Sequence, residues 1–443
     1  MEFIKHEDRR LRPRRLGWVA LLPLAFLALI MVAFGCIFGD FSKVPITIVF
    51  LITSMASLLT MRGYSMNERI RTYSHGAGSS DLLLMVWIFV LAGAFASSAK
   101  AMGAVSATVD ITLRCLPSNI VLAGMFLSSC IVSICIGTSV GTIVALVPMA
   151  TEVATRMGML SPLVVAAVVG GAFFGDNLSF ISDTTVAATR TQNCEMKDKF
   201  KTNFRIVLPV AVICFILYVV LGYSQNNTQY ALSTETHLFR VIPYIVVLIT
   251  AILGINVLLV LCFGIALTGI VGIADGAYTF SGWVSSLAEG ITGMGDLILI
   301  SMMAGGLFAV VRKGGGITYL VRALTKRVHS RLGGEWCIAA LVSLTNLCTA
   351  NNTVAILSVG SITKDISARF GVDKRRAASL LDIFSCIVQG IIPYGAQLLM
   401  ASGLALISPL NIIPYLYYPF ILAVATFISI TLYHGKKDKT PQI

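Results

Sequence analysis

Apolar and polar positions alternate along this chain on a long period. Runs of about eighteen or more apolar residues, the length a helix needs to cross a bilayer, are separated by short polar or basic segments. The first run, Leu16–Phe38, follows a basic segment, 1–15. A cleavable leader has an apolar core of only about 7–15 residues and a small-residue cleavage site. This run is longer and shows no such site, so it is read as the first span. Val44–Met61 and Leu82–Ala99 come next, with Arg62, Arg69 and Arg71 in the loop between them. Lys100–Ser118 is mildly amphipathic. Asn119–Ile136 and Thr142–Met157 are apolar arms around a polar tip, GTSVGT, at Gly137–Thr142. Pro162–Arg190 and Ile206–Tyr223 complete the first half, 16–225, and the polar segment 226–240 marks the centre of the chain.

The second half, 241–433, repeats the plan. Val241–Phe263 and the weaker, Gly-rich Gly264–Leu287 answer the first two spans, and Leu297–Val311 answers the third. Arg312–Arg331 is a basic amphipathic connector. Trp336–Cys348 and Val354–Ala368 flank a second polar tip, TANNT, at Thr349–Thr353. Ala377–Leu404 is an apolar stretch studded with Asp382, Gln389, Pro393 and Gln397. Asn411–Tyr433 is the last span before the basic tail, 434–443. At a shift of 213 residues the polar letters coincide. Thr138 and Ser139 fall on Asn351 and Asn352, Glu152 on Asp365, Arg156 on Arg369, and Asp176 on Gln389.

Charge orients these spans. With five crossings and one re-entrant hairpin per half, and the N-terminus inside, the inner segments hold 28 of the chain's 33 Lys and Arg. Only Lys43, Lys100, Arg114, Arg156 and Arg240 fall outside. Basic residues mark the cytoplasmic side, so both termini are expected there, in a bacterial plasma membrane. Five is odd, so the second half must run inverted relative to the first. The expected fold is an all-α polytopic membrane protein of two inverted repeats, each with about five transmembrane helices, a re-entrant hairpin and a broken helix. Inverted repeats with polar breaks at mid-membrane belong to secondary transporters.

Composition agrees. Of 443 residues, 56% are hydrophobic and 12% charged, against about 25% charged in soluble domains. The net charge of +12 lies in loops beside the spans, so it reads as orientation signal and not as a nucleic-acid surface. The ten cysteines show no CxxC pair and fall mostly inside apolar runs, where they act as small packing residues. The five histidines lie in tails and loops with no ligand spacing. The pattern calls for no cofactor, and it is compatible with a homodimer.

One stretch concentrates the chemistry: GGAFFGDNLSFISDTTVAATRTQ, Gly170–Gln192. It continues an apolar run, yet carries Asp176, Asn177, Ser179, Ser182, Asp183, Thr184 and Thr185. Charge at membrane depth is expensive and faces a cavity, a partner or a pathway. Asp176 and Asp183 are seven apart, so a continuous helix sets both on one face with Ser179. Gly170, Gly171 and Gly175 favour a break, and a break frees carbonyls and helix ends for ions. Sodium takes hard oxygen ligands. Asp176 and Asp183 offer charge; Thr138, Ser139, Asn177, Ser179, Ser182, Thr184, Asn351, Asn352 and Thr353 offer neutral oxygens. Asp183, inside SDTT, ranks first as the sodium ligand, with Asp176 tuning the field or carrying the proton. Asp382, Gln389 and Gln397 are secondary candidates, and Asp382 is expected to pair with Arg375 or Arg376. Desolvation disfavours a charged carboxylate and a bound cation favours it, so one carboxylate can hold either sodium or a proton.

GAFFGDNLSFISDTT resembles the signature of the NhaC-type sodium/proton antiporters of the ion transporter superfamily, and GTSVGT resembles that family's second motif. The resemblance runs over most of the chain. Val140 stands where the family usually has Trp, and Phe180 where it has Pro. The resemblance implies Na+ and H+ as cargo. Lithium, or a small organic acid or amino acid carried with sodium or protons, is the alternative on the same scaffold. An organic anion needs a cationic or helix-N-terminal anchor; no mid-span Arg or Lys is evident, though helix N-termini at the hairpin tips could serve. A channel fits poorly with two halves bearing unlike motifs. A membrane enzyme would need an HExxH, a GxSxG or a His pair at membrane depth, and none is found.

Overall fold

The computed structural model describes residues 17–39, 44–61, 63–115, 117–224, 238–326 and 328–432. The terminal segments 1–15 and 434–443, and most of the central segment 226–240, lie outside them. Among the described residues every regular element is helical. In chain order these are α1 (Leu22–Phe38), α2 (Ile46–Thr60), α3 (Met66–Ala77), α4 (Ser80–Ala101), α5 (Ala104–Cys115), α6 (Val121–Ile136) and α7 (Ser139–Met157). Then come α8 (Ser161–Leu178), α9 (Asp183–Gln192), α10 (Met196–Ser224), α11 (Ile242–Ile252), α12 (Val257–Ala274), α13 (Phe280–Gly293) and α14 (Gly295–Lys313). The rest are α15 (Gly316–Thr325), α16 (Arg331–Thr349), α17 (Asn352–Phe370), α18 (Lys374–Ile391), α19 (Ala396–Ala405), α20 (Pro409–Ile412) and α21 (Tyr417–Leu432). Nine helical stretches among the described residues are long and apolar enough to cross a membrane. The protein is an all-helical polytopic membrane protein.

The chain forms two compact units. The smaller holds residues up to Leu83 with Leu299–Arg327. In it the Tyr73 hydroxyl donates to Ser54 Oγ at 2.7 Å, and Lys313 Nζ donates to Thr72 Oγ1 at 2.9 Å. Helix α3 occupies part of the segment expected to be a loop between the second and third spans. Ser65 caps it by accepting from the Glu68 backbone N–H, while the Glu68 carboxylate accepts from the Ser65 N–H. This reciprocal S-x-x-E box satisfies two orphan donors.

The larger unit, Leu84–Ile298 with Val328–Ile443, contains the repeat. Helices α7, α8 and α9 have counterparts in α17, α18 and α19, each displaced by 213 positions at both ends. The junctions match in backbone as well. Gly137 and Ala350, at the two hairpin tips, have φ of 75° and 52°. Thr138 and Asn351 follow with φ of −144° and −145°, and each caps the next helix with its side-chain oxygen. Ser179 and Ile392 end the first arm of each broken helix in extended backbone, with ψ of 137° and 124°. Only Gly enters the left-handed region without strain, so a non-glycine there at Ala350 shows how firmly the tip is set.

Three expected spans are corrected. Gly264–Leu287 is split between the end of α12 and α13. Asn411–Tyr433 is broken, with Pro409–Tyr415 meeting α21 at a bend of 52°. Val241–Phe263 is not one helix: it divides into α11 and α12. Gly254 has φ of 78°, and the Asn256 side chain accepts from Leu258 N–H to start α12. The apolar letters run through this turn, which a hydropathy reading cannot register.

Candidate functional site

The site begins with close packing of α8 on α6. A Cβ on Gly171 would meet the Phe126 carbonyl oxygen at 2.5 Å, and one on Gly175 would meet Ser133 Oγ at 2.1 Å. Small residues let two backbones approach, and hydroxyls then bond across the gap. Ser129 Oγ donates to the Val168 carbonyl at 2.5 Å and Ser133 Oγ to the Ala172 carbonyl at 2.7 Å. In the second half Asn346, the counterpart of Ser133, donates to the Ser385 carbonyl at 2.7 Å. These contacts fix each hairpin tip beside a helix break.

At the first break α8 stops and α9 starts again at Asp183. Ser179 Oγ donates to the Ile134 carbonyl at 2.9 Å, tying the break to the hairpin. Asp176, 4% exposed, sits in the last turn of α8. Its Oδ1 accepts from the Ser139 backbone N–H at 3.0 Å, the first residue of α7. A helix N-terminus presents free N–H groups and partial positive charge to a carboxylate. Among the described residues Asp176 forms no ion pair. Thr184 and Thr185 hydroxyls donate weakly to the Asp176 carbonyl, at 3.3 and 3.4 Å.

The secondary candidates complete a bridge to the other tip. Gln397 Nε2 donates to Ser139 Oγ at 2.9 Å. Gln389 Nε2 donates to Gln397 Oε1 at 2.9 Å and to the Ala350 carbonyl at 2.9 Å. Asp176 and Gln389, aligned in the letters, thus serve one polar chain joining the two hairpin tips. Gln389 Oε1 and Asn352 Nδ2 are buried with no hydrogen-bond partner among the described residues. Asn352 Oδ1 accepts from Thr353 N–H at 3.0 Å.

Other expected residues are placed differently. Asp183 is exposed in the first turn of α9. It does not share a face with Asp176, because the helix is interrupted between them: residues 179–182 are not helical. Asn177 Nδ2 donates to the Phe173 carbonyl at 2.9 Å and the Tyr418 hydroxyl at 3.1 Å. Its Oδ1 is buried and unpartnered among the described residues. Ser182 and Thr184 hydroxyls bond each other at 2.9 Å. Thr138 Oγ1 accepts from Gly141 N–H, an ordinary helix cap.

Asp382 departs furthest from expectation. It is fully buried and pairs not with Arg375 or Arg376 but with Lys199, Nζ to Oδ2 2.7 Å. Arg376 pairs with Glu335 and Arg375 with Asp198. Lys199, 1% exposed, also donates to the Asn177 carbonyl at 2.9 Å and Thr185 Oγ1 at 2.6 Å. Asn203 Nδ2 donates to the Asn177 carbonyl at 2.9 Å and Asp382 Oδ2 at 2.8 Å. By its letters alone Lys199 is a loop cation, and no cation falls within a span. A usable signal was present: Ile206 and Val210 lie on the buried face of α10, and stepping back one turn at a time reaches Asn203 and Lys199.

The arrangement offers hard oxygens around one carboxylate that lacks a counter-cation and a second that has one. Broken helices, hairpin tips and buried carboxylates define a membrane transport protein. The chain belongs to the Na+/H+ antiporter family, whose model matches residues 16–223 and 227–436, and it is a secondary transporter. It is 23% identical over 430 residues to a malate-2H+/Na+-lactate antiporter of Bacillus subtilis, covering 89% of this chain and 90% of that protein. It is 25% identical to the B. subtilis Na+/H+ antiporter NhaC, covering 81% and 85%. An arginine/ornithine antiporter, ArcD, of Halobacterium salinarum is 23% identical, covering 71% and 73%.

Proposed function

We propose that this protein exchanges sodium for protons by alternating access, with the two cations competing for Asp176. The observation that carries this reading is a buried carboxylate, without a counter-cation, held at a helix break by a hairpin tip. Asp183, ranked first on sequence, becomes an approach residue because it is exposed. Ser139, Gln397 and Gln389 supply or position neutral oxygens. The deciding experiment is proton flux in proteoliposomes, with sodium, lithium, potassium, malate, lactate and amino acids offered in turn. Proton movement driven by sodium alone supports the reading, and movement that requires an organic solute overturns it.

A second reading, an organic acid or amino acid carrier, is favoured by two observations. Two of the relatives above are named for organic cargo. A cavity of about 760 Å3, lined by Lys100, Thr151, Glu152, Glu289 and Gly293 among others, opens in the larger unit. That volume suits a small organic solute. Lys199 is not free to anchor a substrate carboxylate, since all three of its N–H donors are committed within the protein; the cation that lines the cavity is Lys100.

The repeat is proposed to be inverted, with both termini cytoplasmic. Cysteines placed at 226–236 are expected to react with an impermeant thiol reagent from outside, and cysteines at 315–330 are not. Outside labelling of 315–330 overturns the inverted arrangement.

Gln397 gives a further test. Gln397→Leu removes the bridge between Ser139 and Gln389 and strands buried polar atoms, at a cost of about 1–3 kcal/mol. The sodium concentration for half-maximal exchange is expected to rise about tenfold, roughly 1.4 kcal/mol, while the proton remains coupled. An unchanged half-saturation value would remove this bridge from the ion site.

A further inference from the structure

We propose that the Lys199 ammonium is a resident cation: it permanently fills an oxygen cage that would otherwise take sodium, and thereby limits the exchanger to one bound sodium per chain. This rests on the exchange reading above and deepens it.

The cage has the composition of an alkali-cation site. Lys199 Nζ lies 2.9 Å from the Asn177 carbonyl, 2.6 Å from Thr185 Oγ1 and 2.7 Å from Asp382 Oδ2. Carbonyl, hydroxyl and carboxylate are the hard oxygens that such a cation takes. The carbonyl belongs to the last turn of α8, the end of a helix where positive charge is stabilised. Two more oxygens, Asp382 Oδ1 and Asn203 Oδ1, are buried without partners among the described residues. The ammonium has three donors and all are used.

Asp176 and Asn177 are adjacent at one helix break, and Thr185 touches both surroundings, accepting from Lys199 and donating towards the Asp176 carbonyl. Asp382 has its positive charge tethered in the chain. Asp176, with none, must take its charge from solution. The first half thus supplies the tethered cation, and α18 of the second half supplies its carboxylate. A purely structural pair, joining α10 to α18, would leave the number of sodium ions unchanged when the ammonium is removed.

The test is equilibrium binding of radioactive sodium to purified protein, with exchange in proteoliposomes measured against sodium concentration. Wild type is expected to bind one sodium per chain and Lys199→Met two; because turnover of the variant then needs both sites filled, the Hill slope of exchange is expected to rise from about 1 towards about 2. Lys199→Met with Asp382→Asn removes both charges and is expected to return to one. One sodium in folded Lys199→Met, with an unchanged slope, overturns the proposal alone. No sodium bound by wild type overturns the exchange reading and this proposal with it. Where Lys199→Met does not survive purification, it is assayed in native membranes. Ligand binding stabilises the state that binds, so its melting temperature should rise more steeply with sodium than wild type's, and not with choline. Equal sodium dependence in the two proteins would again overturn the proposal.

Discussion

Asp176→Asn is expected to reduce sodium-driven proton exchange to background while the protein still inserts and folds. The substitution keeps the shape of the side chain, and the new amide oxygen can still accept from Ser139 N–H, now at 3.0 Å from Oδ1. It removes the charge that holds sodium and the group that holds the proton. In wild type the two ions compete for one carboxylate, so lowering the pH protonates Asp176 and weakens apparent sodium affinity. Below the carboxyl group's pKa, the half-saturating sodium concentration should rise about tenfold per pH unit for one-for-one competition. Asp183→Asn, on an exposed residue, is expected to keep measurable exchange with the same pH dependence. Flux measured across pH, with expression controlled, separates the two. Normal exchange by Asp176→Asn, or loss of exchange by Asp183→Asn alone, would move the cation site away from Asp176.

The repeat and the tips were legible because polar letters are rare in apolar runs. Thr138 and Asn351, or Asp176 and Gln389, stand out against leucine and valine, so a fixed shift can be read directly. The structure adds that both members of each pair occupy the same place in the backbone. Spacing was less informative at Asp183. Seven residues mean one face only while the helix continues, and α8 stops before reaching it. Burial of Lys199 was hidden by a counting rule. Basic residues beside a span are assigned to a loop, yet α10 starts at Met196 and carries its first turn into the protein. The division of α11 from α12 was hidden for the opposite reason, since a turn made by Gly254 and Asn256 changes hydropathy little. The α3 cap was visible as Ser65 and Glu68, but three arginines nearby drew the segment into a loop.

Gly175→Val tests whether the ion site depends on helix packing. The position has no room: an added Cβ would lie 2.1 Å from Ser133 Oγ, 2.2 Å from Ser133 Cβ and 2.6 Å from the Ser133 carbonyl carbon. Real side chains do not tolerate such distances, so α8 must move off α6. Overpacking of a fitted interface costs about 1–3 kcal/mol, sometimes more. The displacement would also break the Ser133 bond to the Ala172 carbonyl and carry the next residue, Asp176, away from Ser139 N–H. Exchange is therefore expected to fall by more than the loss of stability alone explains, with folded protein still recovered but melting at lower temperature in detergent. Gly175→Ala should show the same two effects to a smaller degree. Ser133→Gly is not expected to rescue either variant, because the backbone carbon at 2.6 Å remains when the side chain is gone. Full rescue by Ser133→Gly would show that only the hydroxyl side chain limits the approach. Wild-type exchange by Gly175→Val would show that Asp176 needs no fixed distance from the hairpin tip, and the competition site would then have to be sought on α18.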